Sequence, residues 1–193
     1  MRSGRLDSPD SLCVRRILAL LFVASALAAA GSADARPLDS RAPAGAASIT
    51  AVPELQDQVL TAINALRRSK GLSELQLNNG LALAALGHSQ SMARRGFFAH
   101  EGANGSPFWA RIKPRYRPLP GNAWGVAENL VWSAPRLSAD MAIQMWLNSP
   151  PHRKNLLAPS WREIGLGAVH VLAAPGVYQG LDVTILTADF GVR

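Results

Sequence analysis

Apolar residues at Leu55, Val59, Ile63 and Leu66 follow Pro53 at three- and four-residue intervals until Gly71 interrupts them. That period marks one stripe of an α-helix, and proline suits a first turn, where its missing N–H would have had no partner. A second stripe, Leu81, Ala85, His88 and Met92, predicts a helix from Asn78 or Asn79 to Arg95, with Gly96 as its stop. Ser106 and Pro107 read as the cap and first-turn proline of a short helix through Ile112, after which Pro118, Pro120 and Gly121 enforce an irregular loop. Ser138 is a good cap for a further helix carrying Met141, Met145 and Trp146, ended by Pro150 and Pro151. From Ile164 to Val171 and from Val183 to Phe190 the pattern changes to β-rich runs, separated by Pro175, Gly176 and Gly180. Helices early and strands late predict an α+β layer fold rather than a doubly wound sheet.

The N-terminal region follows a different rule. Arg15 and Arg16 precede an apolar run from Ile17 to Ala30, and Ala33-Asp34-Ala35 follows. A basic start, an apolar stretch too short to span a bilayer comfortably and an Ala-x-Ala site read as a secretory signal over residues 1–35. An uncleaved N-terminal anchor is the competing reading, and in either case the body lies outside the cytoplasm. Residues 36–52, rich in Ala, Pro, Ser and Gly without an apolar period, read as a flexible linker, leaving one folded domain over 53–193. Cys13, the only cysteine, falls within the signal, so neither a disulfide nor a thiol nucleophile is expected in the domain.

The formal charge of the chain is +7. Removing the signal's four arginines and three aspartates leaves sixteen bases against ten acids, a balance that favours anionic envelope polymers or membrane surfaces as neighbours. The densest basic stretch, Arg111-Ile112-Lys113-Pro114-Arg115-Tyr116-Arg117, reads as a solvated loop because of its prolines. Nucleic acid is not an expected partner: no nucleic-acid motif is present and the signal directs the chain out of the cell.

Candidate chemistry lies in three segments. These are Phe97-Phe98-Ala99-His100, then Gly125-Val126-Ala127-Glu128-Asn129-Leu130, then Trp146-Leu147-Asn148-Ser149-Pro150-Pro151-His152-Arg153. Two imidazoles and a carboxylate, set beside apolar residues and turns, are what a small polar site in a cleft needs. His100 follows a helix stop, and His152 follows prolines that restrict where its ring points. His88 lies on a core stripe and reads as a buried imidazole hydrogen-bonded to a neighbour, while His170 alternates with strand residues.

The order of these segments resembles the CAP superfamily of cysteine-rich secretory, antigen 5 and pathogenesis-related 1 proteins, in its bacterial SCP-like branch. The resemblance runs from about Leu55 to Gly191 and implies a three-layer α-β-α sandwich. It also implies that His100 and His152 line a central cleft and hold a divalent metal, often zinc, in some members, with Glu128 as the cleft glutamate. Asn129 and Ser149 are expected neighbours in that ligand cleft. A second glutamate that eukaryotic members carry after the tryptophan matching Trp146 is absent here, where Leu147-Asn148-Ser149 stands instead.

Imidazole nitrogen and carboxylate oxygen suit zinc. The same trio also reads as a metal-free hydrogen-bonded cluster in which Glu128 orients one imidazole. Ser149 and His152 are too close in sequence to argue for a serine nucleophile, and Ser before Pro-Pro reads equally as a cap. Most of the five tryptophans, Trp146 above all, read as core. The expectation is a secreted or periplasmic, envelope-associated monomer with no transmembrane span in its mature chain. It would bind a divalent metal, an extracellular lipid, glycan or peptide, or both. The alternative is a metal-assisted hydrolase of an envelope polymer with Glu128 as its candidate catalytic residue.

Overall fold

The computed structural model describes residues 48–193. The secretory signal, Cys13 and the linker up to residue 47 lie outside them. The fold begins earlier than Pro53, because Ile49–Ala51 forms strand β1 and pairs antiparallel with the later strand Glu163–Val171, which is β4. The end of the expected linker is therefore part of the sheet.

Helix α1 spans Pro53–Ser69 and α2 spans Asn79–Arg95, as their stripes predict, with the short strand β2, Gln76–Leu77, between them. Asn78 caps α2 by accepting from the backbone of Gly80 and Leu81, and Gly96 ends it at φ 67°, a conformation that suits glycine. Short α3, Phe108–Ile112, begins one residue later than expected: Pro107 stands at its cap, and no side-chain cap bond is made. Strand β3, Gly125–Ser133, has no counterpart among the predicted elements, since Glu128 and Asn129 interrupt the apolar pattern that would mark it. Ser138 caps α4, Ala139–Leu147, by accepting from Met141 N–H. Pro150 and Pro151 do not close that helix. It ends at Leu147 with Asn148 as its C-cap, and the prolines open a new helix, α5, Pro150–Leu157, where absent N–H groups leave nothing unpaired. Strand β5 is Val183–Val192.

Among the described residues the sheet order is β1-β4-β5-β3, with β2 parallel beside β4. Alternation along β5 divides the core. Leu186, Ala188 and Phe190 pack with Leu55, Val59, Ile63, Ile143, Trp146 and Leu156 from α1, α4 and α5. Val183 and Ile185 face the opposite way and pack with Met92 and Ala93 of α2. Leu81 and Ala84 of α2 continue that layer with Ile112 and Tyr116. The result is an α+β sandwich of three layers, α1, α4 and α5 over the sheet and α2 and α3 beneath. The lower layer comes very close because Gly165 and Gly167 alternate on β4, where a Cβ would overlap the backbone of α2 at Leu81, Ala82, Ala85 and Leu86.

Candidate functional site

Edge strand β3 brings the predicted residues together through its own alternation. Glu128 points toward the α2 and α3 side and is buried, 4% exposed, whereas Asn129 is fully buried on the side of α5. His100 arrives from the loop after α2 and His152 from the first turn of α5, so the two imidazoles come from opposite layers. Their ring centroids lie 6.5 Å apart at an interplanar angle of 51°.

The loop carrying His100 is held at several points. Tyr178 Oη donates to Phe97 O at 2.9 Å, and His88 Nε2 donates to Ala99 O at 2.9 Å. His88 is therefore the buried, hydrogen-bonded imidazole that its stripe predicts, and burial, aided by the nearby Arg111 charge, pushes its pKa down to about 4, so it stays neutral. Phe97 is half-buried and packs against the core on the α2 side, whereas Phe98 is exposed, so only one of the aromatic pair anchors the backbone. His170 is remote from this group and shares a 3.1 Å hydrogen bond with Thr184.

Glu128 is engaged through both oxygens. Its Oε1 lies 2.7 Å from His100 Nδ1, and its Oε2 forms an ion pair with Arg111. Arg111 also donates from Nη1 to His100 O at 2.8 Å. The basic stretch is thus not a solvated loop throughout. Its first arginine turns inward on α3 and its Tyr116 is fully buried. With Nδ1–H directed at a carboxylate, the lone pair of neutral His100 resides on Nε2, on a side chain that is 45% exposed.

A further carboxylate reaches this group from the last strand. Asp189 lies directly across from Glu128 in the β3–β5 ladder and is completely buried. Neither of its oxygens has a hydrogen-bond partner among the described residues. Burial drives its pKa up to about 7, against the pull of Arg111 and His100. Burial also lowers the pKa of Arg111, with Asp189 and Glu101 opposing. The same cause dominates at His100, where Glu101 and Asp189 oppose and Arg111 adds, and at His152, where His100 adds.

Sequence reasoning missed Arg111 and Asp189. The available signal was one aspartate inside the apolar run Val183–Phe190, and one arginine beside Trp109 on a helix short enough to leave only one face buried.

Asn129 holds α5 in place: its Nδ2 donates to His152 O at 3.0 Å, and its Oδ1 accepts from Asn155 Nδ2 at 2.9 Å. Ser149 is the N-cap residue of α5 but makes no side-chain cap bond, and no hydrogen bond joins it to His152 among the described residues. With His152, Phe98, Trp132, Met145 and Trp146 it lines an apolar groove of about 410 Å³. Trp146 itself is core, 1% exposed, and donates to Leu130 O at 3.0 Å. Among the described residues, no three His, Cys, Asp or Glu side chains converge as a metal-binding group. Nor does any helix there have the length and apolarity to cross a membrane.

Comparison with known proteins bears on the family and the fold. The profile described as the Cysteine-rich secretory protein family, CAP, matches residues 60–176. Bacillus subtilis YkwD is 29% identical over 121 residues, which cover 62% of this chain and 44% of that protein. The chain therefore spans less than half the length of that relative. An extracellular SCP-domain protein from Bacillus anthracis superposes with a TM-score of 0.55 at 25% identity, covering 71% of this chain and 40% of that one. An outer surface protein from Borrelia burgdorferi gives 0.59 at 20% identity, over 76% and 98% of the two chains, a likeness of fold.

Proposed function

Because this chain belongs to the cysteine-rich secretory protein (CAP) family, we propose that it is a binding module whose cleft, between His100 and His152, takes up an extracellular ligand, a divalent cation, or both. The observation that carries this reading is the engagement of both Glu128 oxygens, by His100 and by Arg111. A carboxylate so occupied is a poor proton acceptor for a hydrolytic water, and it orients an imidazole well. The reading therefore favours binding over hydrolysis.

The donor set fits a cation through two imidazoles, His100 Nε2 and His152, with water or ligand oxygen completing the shell. Glu128 acts behind His100, fixing its tautomer and raising the basicity of Nε2. Zinc held there would supply a Lewis acid for an oxygen of the ligand. The ligand's apolar part, whether lipid, glycan face or peptide side chain, belongs in the groove beside His152, against Phe98, Trp132 and Met145. The module acts outside the cytoplasm, as a monomer. Its N-terminal signal pattern supports export, in accord with the extracellular protein of Bacillus anthracis noted above.

Calorimetric titration of the metal-free protein with zinc tests the reading. Wild type should bind, and a folded His100→Ala/His152→Ala variant should not. Glu128→Gln should weaken binding by about 10–100-fold, the range for removal of a supporting partner of a ligating histidine. Unchanged affinity in the double variant would place zinc elsewhere. Metal-dependent turnover of an envelope polymer that Glu128→Gln abolishes with metal retained would favour the hydrolase instead.

A further inference from the structure

The His100 cleft uses only the first arginine of the chain's densest basic stretch. Arg115, from the same stretch, and Arg95, from the last turn of α2, form no ion pair among the described residues. Both nevertheless line one concavity of about 440 Å³ between the outer side of α2 and the 102–115 segment, and Arg111 is the third arginine of its lining.

Among the described residues, no acidic side chain lines this groove. Of its other polar groups, neutral His88 has its Nε2–H engaged with Ala99 O, and Ser91 and Asn104 are able to donate. Ser91 carries a hydroxyl, and Asn104, whose Oδ1 already accepts from Ser106 N–H at 3.1 Å, keeps its amide Nδ2 hydrogens. Leu83 and Ala84 add apolar surface, and at Gly87 nothing lies within 4 Å of where a Cβ would stand, so the groove is open there. The volume falls in the range of small-molecule sites.

We infer that this groove binds an acidic sugar unit of a polysaccharide, with the arginine forks on its carboxylate or sulfate and the apolar surface against the ring. Guanidinium groups match such planar or multi-oxygen anions in geometry as well as charge. Ser91 and Asn104 suit hydroxyl groups, and the apolar surface suits the C–H side of a pyranose. Concavity decides against a membrane: arginines along a groove reach a narrow chain, whereas a flat lipid surface meets only those on its rim. The site is separate from the histidine cleft but joined to it through Arg111, which also touches Glu128 and His100 O.

The test is calorimetric titration of the purified protein with tetragalacturonate and with a chondroitin sulfate tetrasaccharide at low ionic strength. Saturable binding that weakens with added salt is expected for at least one of them. Arg95→Glu/Arg115→Glu should reduce affinity by about tenfold or more, the effect of losing charge-assisted bidentate contacts. Gly87→Phe should reduce it comparably without altering charge, by filling the groove from an exposed helical position. Ser91→Phe provides the same block should the first variant fail to fold. Lys70→Glu/Arg136→Glu, which changes net charge equally on exposed residues outside the groove, should leave affinity within about twofold when both double variants are compared at about 0.15 M salt, where long-range attraction is screened. Absence of binding to both oligosaccharides would overturn the proposal. Equal loss in the charge control would do so too, as would full binding by both groove-filling variants or binding only to phosphatidylglycerol vesicles.

Discussion

The two faces of the central sheet bury arginine in different ways. Above the sheet, Arg67 of α1 is fully buried and donates to three carbonyls, Ser73 O at 2.8 Å, Leu156 O at 2.9 Å and Ala158 O at 3.0 Å. It ties α1 to the end of α5 without a carboxylate. Beneath the sheet, Arg111 lies among carboxylates, paired with Glu128 and attracted by Asp189. On the upper face β5 contributes Leu186, Ala188 and Phe190, whereas its alternate residues on the other face include Thr187 and Asp189. Thr187 is satisfied by Ser89 Oγ at 2.8 Å, but Asp189 is left without a partner among the described residues. One face is a core that uses a cation as a staple. The other holds interdependent charges, which is a demanding way to stabilise a fold and a useful way to fix an imidazole at a cleft.

The most severe way to break this contrast is Arg111→Met. It leaves Glu128 as a buried charge without its cation, and loss of one partner of such a pair costs about 3–5 kcal/mol. Urea unfolding should show that drop, and Arg111→Met/Glu128→Gln should recover much of it. A single variant as stable as wild type would mean that the charges beneath the sheet are independent of one another.

The next test is pH. Folded Asp189 keeps its proton up to about pH 7, while the unfolded chain releases it near the ordinary value of 3.8. Stability from this group is fully present below 3.8 and is lost progressively as pH rises from there through 7, the direction for an acid whose folded pKa is raised. In Asp189→Asn that slope should vanish, so the variant gains on wild type by on the order of 2–4 kcal/mol between pH 4 and 8. Parallel unfolding curves for the two proteins across that range would show that Asp189 is already ionised in the fold.

Arg67→Met probes the upper face. Carbonyls that lose a charged donor should cost about 2 kcal/mol, and the loss should be the same at pH 5 and pH 8, because no group facing them titrates there. Urea midpoints at both pH values check this, and a loss that changes with pH would erase the distinction between the faces.

Both helical stripes, the two late strands and the layered class were legible in the sequence because each element buries one continuous apolar face. The three motif segments were legible as well, and the structure gathers His100, Glu128 and His152 at one edge. What escaped was governed by contacts remote in sequence. Strand β3 is held by pairing with β5 and not by its own pattern, and Ile49–Ala51 becomes a strand only because β4 offers an edge. Pro150 and Pro151 were ambiguous because proline both ends one helix and begins the next. Arg111 and Asp189 reach Glu128 from positions nearly eighty residues apart, one by an ion pair and the other across the β3–β5 ladder, and no local spacing announces that grouping.

The smallest effect expected concerns the residue that joins the two faces. Glu128 and Asn129 are neighbours in β3, so alternation sends one side chain to His100 below and the other to His152 above. Adjacent residues of a strand can serve two layers in this way, and a cleft between layers needs such a hinge of alternation. Asn129→Ala removes the bond to His152 O and leaves Asn155 Nδ2 with Glu128 O, at 3.3 Å, as its remaining partner. The loss should be about 1 kcal/mol, or a few degrees in Tm. If the α5 backbone positions His152, zinc affinity should fall although neither imidazole has changed, and Asn129→Asp, which cannot donate to the carbonyl, should fall with it. Affinity unchanged in both variants would mean that Pro150 and Pro151 alone fix the ring, and that β3 orients His100 without governing its partner.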